Sequence, residues 1–162
     1  MKRIYRYIET ANELAGSTVS YFFPILTGIL SFEVVARYVF HKSQIWTWDM
    51  ATMLQILIVM GAGGYGLVHR SHVRVDVLMT RFSKRTNRIM ALITTPLVLF
   101  GIGALLWTST ERAWSSVLMH ERLSSLWKPP IYPVRVALVL GVLLLLMQAL
   151  GNYLALIKGE KE

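Results

Sequence analysis

Four long stretches of the chain contain no charged residue, and the charges are concentrated in the segments between them. The uncharged stretches are residues 14–32, 50–68, 89–110 and 136–157, which are 19, 19, 22 and 22 residues long. A hydrocarbon core about 30 Å thick needs roughly 20 helical residues, because each residue of a helix rises about 1.5 Å. The stretches also lack the alternating pattern of a lipid-facing barrel. The pattern therefore predicts four transmembrane helices.

The predicted fold class is an all-α integral membrane protein. We expect one membrane domain over residues 1–162, with spans at about 14–40, 48–69, 88–111 and 133–157. Composition agrees, because 54% of the residues are hydrophobic, 16% are charged and the mean hydropathy is +0.49. Soluble domains are about 45–50% apolar and about 25% charged. With no cysteine, the chain forms no disulfide and no Cys-ligated metal centre.

Lys and Arg residues are distributed unequally between the two sides of the predicted bundle. Of the 17, eleven lie before the first span, between the second and third, or after the fourth. Loops rich in Lys and Arg stay in the cytoplasm, so we expect both termini to be cytoplasmic. The net charge of +8 comes from residues that flank spans. Anionic phospholipid is therefore the expected partner, and nucleic acid is not.

The segment after the second span reads "VHRSHVRVDVLM" and contains His69, His72 and Asp76 at spacings of three and four. This spacing places side chains on one helix face, as a metal site would require. The segment is also basic, with apolar residues among its arginines, which is typical of a short helix in the membrane interface. We favour an interfacial helix within 70–87, in which His72 and Asp76 form a hydrogen bond, because basic surroundings oppose a bound cation.

Three charged residues lie where the first span ends and the second begins. Glu33 and Arg37 are four residues apart and share one helix face, so they are able to pair. Asp49 opens the second helix, and we expect it to contact Arg37. A proton or ion relay is the functional alternative, but charges at the rim of a membrane favour a clasp between helices. Trp46 and Trp48 are expected to anchor this end at the interface.

Features inside the spans indicate helix packing. The cluster "GAGGYG" at 61–66 lacks the strand and the Lys-Ser/Thr pair of a phosphate-binding loop. We interpret its small residues as points of close helix approach. Gln148 is the strong polar group of the fourth span, and its amide is expected to hydrogen-bond a neighbouring helix. Pro24 predicts a kink in the first span.

The longest loop on the side with fewer basic residues reads "SVLMHERLSSLWKPPIYPVR". It contains Trp127 and the prolines Pro129, Pro130 and Pro133, which restrict the backbone before the fourth helix. We therefore expect a rigid loop. Two roles stay open for it: docking an extracytoplasmic partner, or only starting the fourth helix.

Several of these features, in this order, resemble the small membrane subunit (DctQ type) of tripartite ATP-independent periplasmic, or TRAP, transporters. They are "ARYVF", "IWTWDM", a glycine-rich helix end, "HVRVDVL", and "SSLWKPPIYPVR" before a Leu-rich helix with "LLLLMQAL". The resemblance runs from about Tyr5 to Leu156. Many members have Glu where this chain has Asp49, often beside a further acidic residue, whereas the neighbours here are Trp48 and Met50.

The resemblance implies a division of labour among three proteins. A periplasmic substrate-binding protein captures an organic acid, and a large membrane subunit of about a dozen helices moves it inward by sodium symport. The small subunit packs against the large one in the bacterial inner membrane and enlarges its scaffold, with no enzymatic activity and no cofactor. Arg37, Asp49, His72 and Asp76 are the positions carried over from the family. The substrate stays open among dicarboxylates, keto acids, sialic acids and sulfonates.

Other functions also use a few membrane helices. A self-sufficient homo-oligomeric transporter would need a carboxylate in mid-span, and the carboxylates of this chain lie at the span ends or outside the spans. A membrane anchor of a respiratory complex would bind haem through histidines inside the bilayer, but all four histidines fall at or beyond span ends. A membrane enzyme would need a nucleophile beside the His72–Asp76 pair. The residues expected at interfaces are Glu33, Arg37, Trp46, Trp48, Asp49, His72, Asp76, Trp127, Pro130 and Gln148.

Overall fold

The computed structural model describes residues 2–69 and 84–158, and these residues form five helices. The helices are α1 (Lys2–Ser20), α2 (Phe22–Tyr38), α3 (Ile45–Val68), α4 (Lys84–Leu118) and α5 (Tyr132–Lys158). Regular structure in this part of the chain is helical, apart from an isolated bridge between Arg122 and Pro130. Residues 70–83 of the predicted interfacial helix lie outside the described residues, and Lys84 already begins α4.

Four segments are long and apolar enough to cross a membrane, which confirms the predicted all-α membrane fold. They are Arg6–Tyr38, Ile45–Val68, Leu92–Leu118 and Tyr132–Ile157. Two of them extend well beyond the uncharged stretches, because a helix continues into the polar region as long as its backbone hydrogen bonds are satisfied. The orientation of the bundle stays a prediction.

The first span is interrupted at Tyr21, so that α1 and α2 are separate helices within it. Pro24 follows three residues later. Its ring clashes with the carbonyl of the residue four positions earlier, Ser20, and it has no N–H to donate there. The predicted kink therefore has a direct cause in the sequence.

Helices α3 and α5 form the centre of the bundle. Helix α1 packs against both of them, α2 packs mainly against α3, and α4 packs mainly against α5. Helices α2 and α4 consequently lie at opposite edges of the array, with most of their apolar side chains exposed.

Small side chains allow the central helices to approach closely. A Cβ atom added at Gly61 of α3 would lie 2.5 Å from Cγ1 of Val19 of α1. One added at Gly64 would overlap the Asn12 side chain. These contacts confirm that the glycine cluster is a packing surface, since only glycine leaves room for α1 at these two positions.

The interior of the bundle holds small and polar side chains in place of large apolar ones. Its buried apolar residues are Val19, Ala36, Ala51, Ile58, Ala113, Val142 and Ala149. Its buried polar residues are Asn12, Thr47, Asp49, Ser109, Ser116 and Gln148. In a membrane, helices associate through close packing and hydrogen bonds, because lipid is as apolar as leucine. The polar contacts are therefore the natural place to look for a functional site.

Candidate functional site

One end of the bundle carries the two loops at residues 39–44 and 119–131, and most of the described charged contacts lie there. We call it the two-loop end. The opposite end, which holds the start of α1 and the end of α5, is called the terminal end.

Glu33 of α2 is the centre of a cluster that joins α2 to the start of α3. Its Oε1 accepts hydrogen bonds from Arg37 Nη2 at 2.7 Å and from Ser43 Oγ at 2.8 Å. Its Oε2 accepts from Thr47 Oγ1 at 2.8 Å and from the Gln44 backbone N–H at 3.1 Å. The predicted pairing of Glu33 with Arg37 is confirmed. The carboxylate also lies at the positive end of the α3 dipole, which stabilises the helix start.

The predicted contact between Arg37 and Asp49 is wrong. Arg37 donates to Glu33 and Ser43, and the buried Asp49 accepts a hydrogen bond from Ser125 Oγ in the loop before α5. Among the side chains that the structure describes, the ion pairs are Arg37–Glu33 and Arg135–Glu121. The reason is helical geometry: Asp49 lies about 200° around α3 from Thr47, which faces Glu33.

The loop at residues 119–131 is closed on itself by backbone hydrogen bonds. Leu123 N–H donates to Pro129 O at 2.9 Å, and Ile131 N–H donates to Glu121 O at 3.1 Å. Between these bonds, Pro130 forms the isolated bridge with Arg122. His120 and Lys128 have positive φ angles of 46° and 50°, which L residues adopt only where the surrounding structure holds them.

Two side-chain contacts fasten this loop to the helices. Arg135 of α5 binds Glu121 through two hydrogen bonds of 2.6 Å and 2.8 Å. Ser125 donates to Asp49 and accepts from the Lys128 backbone N–H at 3.2 Å. With both ends fixed, the loop exposes Leu126 and Trp127, whose relative exposures are 84% and 46%.

The tryptophans at the start of α3 have different surroundings. Trp46 stacks on Phe32 of α2 with ring centroids 6.1 Å apart. Trp48 is exposed and lines a cavity between α2 and α3. Their role as interfacial anchors stays a prediction.

The buried amides lie toward the terminal end. Asn12 Nδ2 of α1 donates to Gln148 Oε1 of α5 at 3.3 Å, and both side chains are buried. This contact confirms the expectation that Gln148 bonds a neighbouring helix. Asn152 Nδ2 of α5 also donates to the Leu67 carbonyl of α3 at 3.3 Å.

The predicted His72–Asp76 pair lies outside the described residues. His69, which precedes it, ends α3 with its ring 4.1 Å from that of Tyr65. Within residues 2–69 and 84–158, no three His, Asp or Glu side chains are grouped as metal ligands would be.

Sequence reasoning missed Glu121, Ser125 and Asn12. A signal existed for Glu121: it lies 14 residues before Arg135, across a proline-rich loop, so the two opposite charges begin and end one structural unit. Ser125 and Asn12 have no such signal, because their partners are 76 and 136 residues away in the chain.

The candidate site is therefore a set of hydrogen bonds and ion pairs within the chain. Among the described residues near the two-loop end, Glu33, Asp49 and Glu121 all bond partners within the chain. These three carboxylates, which could otherwise bind a cation, are thus used to hold helices and loops together.

A comparison with family models agrees with this picture. Residues 26–159 match the model described as "Tripartite ATP-independent periplasmic transporters, DctQ component". A search of curated proteins found no match. The family match begins within α2 and extends through α3, α4 and α5, and it confirms the resemblance drawn from the motifs. The chain belongs to the DctQ family, the small membrane components of TRAP transporters.

Proposed function

We propose that the chain is a scaffold subunit that packs against the large TRAP membrane subunit. Together with a periplasmic substrate-binding protein, the complex takes up an organic acid by sodium symport across a bacterial inner membrane. Both termini are cytoplasmic, and the two-loop end faces the periplasm. The family itself is a transporter component and not an enzyme family.

The observation that carries this proposal is that Glu33, Asp49 and Glu121, together with the buried amides of Asn12 and Gln148, bond partners within the chain. Transporter sites commonly use broken helices at mid-membrane, whose free backbone and polar side chains bind substrate and ions. Helices α3, α4 and α5 are continuous through their spans. The first span is interrupted, but Ser17, Thr18 and Ser20 beside the break donate to carbonyls of their own helix. These features favour a structural role for the subunit over a substrate-binding role.

The exposed tip and fixed base of the loop at 119–131 are suited to contact with a soluble partner. Leu126 and Trp127 are exposed at its tip, while Glu121 and Ser125 hold its base. A rigid loop loses little conformational entropy on binding, which favours a docking role. We assign to this loop the role of docking the periplasmic binding protein.

The test is purification of the tagged chain in mild detergent from its native membrane, followed by mass spectrometry. We expect a large membrane protein in roughly equimolar amount. Reconstitution of both membrane proteins in liposomes should then give uptake that requires the binding protein and an inward sodium gradient. A chain that purifies alone as a homo-oligomer and transports by itself would overturn the proposal.

A further inference from the structure

Gln55 of α3 presents an exposed amide within the membrane span. It lies seven residues after Trp48, which corresponds to about 10 Å along the helix axis. Among residues 2–69 and 84–158 it has no hydrogen-bond partner. Thr52, one turn before it, differs because its hydroxyl donates to the Trp48 carbonyl at 2.9 Å. An amide that faces hydrocarbon without a partner is costly.

The amide opens into a groove between α2 and α3. The cavity has a volume of about 410 Å³ and is lined by Phe23 and Leu30 from α2 and by Trp48, Gln55 and Val59 from α3. Its walls are apolar apart from Thr52, whose hydroxyl already donates to the Trp48 carbonyl, and Gln55, whose amide is the unpartnered polar group of the groove.

Toward the two-loop end, the groove continues into the Glu33 cluster. Leu30 and Trp48 line both the groove and a smaller cavity of about 160 Å³ that Arg37 also borders. Arg37 Nε and Nη2 donate within the chain, and Nη1 donates to no residue that the structure describes. The groove therefore has a second unused donor at its mouth.

We propose that a transmembrane helix of the large subunit lies in the α2–α3 groove, where its polar side chains hydrogen-bond Gln55 and, at the mouth, Arg37. This inference rests on the proposed function and specifies which face of the chain the large subunit covers. The occupant must be apolar along most of its length and must bring a hydrogen-bonding group about 10 Å below Trp48.

A phospholipid does not meet these requirements. Its polar groups stay in the interfacial layers outside a hydrocarbon core about 30 Å thick. Trp side chains mark that boundary, so an acyl chain beside Gln55 offers only methylene groups. The amide needs a partner that carries polar atoms into the core, and a helix does.

A second copy of the chain does not fit the shape. A two-fold axis brings the same surface of both subunits together, so that contact must be self-complementary. Two concave grooves placed face to face leave a void between them. A single convex helix from a different protein fills the groove instead.

The experiment uses site-directed photocrosslinking in membranes that contain the complete complex. Because the chain has no cysteine, single-cysteine variants accept a thiol-reactive benzophenone at one chosen position. Gln55→Cys and Val59→Cys place the probe in the groove. Leu97→Cys and Phe100→Cys are the matched controls, since both positions are more than 70% exposed on α4 at the other edge of the bundle.

We expect the groove variants to give a covalent adduct with the large subunit and the α4 variants to give lipid adducts alone. An adduct of twice the 18.4 kDa chain mass, a lipid adduct from the groove, or large-subunit adducts from α4 alone would each overturn the inference. If the large subunit still co-purifies in these cases, the proposed scaffold function stands. If it co-purifies with no variant and not with the native chain, both proposals fail.

A second measurement separates the hydrogen bond from simple contact. Gln55→Leu keeps the size of the side chain and removes the amide. We expect the association constant of the two subunits to fall about threefold, as for an average hydrogen bond between membrane helices. Leu97→Ile on α4 should leave it unchanged. Unaltered association of the Gln55→Leu subunit would remove Gln55 from the interface.

Discussion

Glu33 accepts hydrogen bonds from four different donors. It therefore contributes more to the contact between α2 and α3 than Arg37, the arginine it pairs with. Its side chain has a relative exposure of 12%, against 56% for Arg37. An exposed ion pair contributes little, because water and salt screen it. The bonds to Ser43, Thr47 and the Gln44 backbone are the ones that fix α2 to the start of α3.

This difference predicts the order of effects of two substitutions. Glu33→Ala should lower the unfolding temperature clearly more than Arg37→Ala, because it removes the shared acceptor of Ser43, Thr47 and the Gln44 backbone N–H, whereas Arg37→Ala removes one donor. Thermal unfolding of the purified subunit in detergent measures both. Glu33→Gln is the control that keeps the acceptor oxygen, and it should fall between them. Equal losses from Glu33→Ala and Arg37→Ala would show that the ion pair is the main contact.

Asp49 and Ser125 form the second residue-scale contact that can be tested. A hydrogen bond to a buried charged group contributes about 1.5–3 kcal/mol, so Ser125→Ala should destabilise the subunit by an amount in that range. Asp49→Ala should cost at least as much. Because each change removes the same bond, the double variant should be less destabilised than the sum of the single ones. Strict additivity in a thermal or denaturant unfolding series would contradict the contact.

At the scale of elements, the positions of the glycines determine which helices approach each other closely. Gly61 and Gly64 face α1 closely, whereas an added Cβ at Gly101 or Gly103 of α4 would meet no atom within 4 Å. The same residue type therefore has opposite consequences in α3 and α4. In α3 it permits helix contact, and in α4 it lowers helix propensity with no packing gain within the chain.

This contrast gives a prediction with opposite signs. Gly64→Ala should destabilise the subunit, because its new methyl group overlaps Asn12 and separates α1 from α3. Gly101→Ala should stabilise it, since Ala exceeds Gly by about 1 kcal/mol in helix propensity. Unfolding temperatures of the isolated subunit in detergent measure both effects. A loss of stability in both variants would mean that α4 is more closely packed than its exposure indicates.

Helix positions were predictable from the sequence, because they depend on local properties. Charge-free stretches long enough to cross a bilayer predict the four spans, and Pro24 predicts the break in the first. The Glu33–Arg37 pair was equally accessible, since a spacing of four settles it. Asp49 was assigned to the wrong partner, because its choice depends on the path of a loop 76 residues further along the chain. Depth in the membrane alone cannot tell on which side of a helix a carboxylate lies.

At the scale of the whole molecule, the two edges of the bundle differ in chemistry. The α2–α3 edge has a groove with an unused amide, and the α4 edge presents large apolar side chains such as Leu97 and Phe100. The two-loop end adds a third surface, the loop that exposes Leu126 and Trp127. A subunit with three distinct surfaces is suited to meet a membrane partner, lipid and a soluble protein at the same time.

The loop surface leads to a prediction about transport and not about stability. Trp127 is partly exposed at the tip, while Asp49–Ser125 and Glu121–Arg135 hold the loop from its base. Trp127→Ala should therefore leave folding and assembly with the large subunit intact. It should still reduce uptake by the reconstituted complex at limiting concentrations of binding protein, because an aromatic anchor at the centre of an interface commonly contributes 2 kcal/mol or more, roughly a thirtyfold change in affinity. A saturating concentration of binding protein should restore the rate, since a docking residue acts through affinity.

Trp114→Ala, which removes an exposed tryptophan from α4, is the matched control and should leave the concentration dependence unchanged. Normal uptake by the Trp127→Ala complex at every concentration would show that the loop serves only to begin α5.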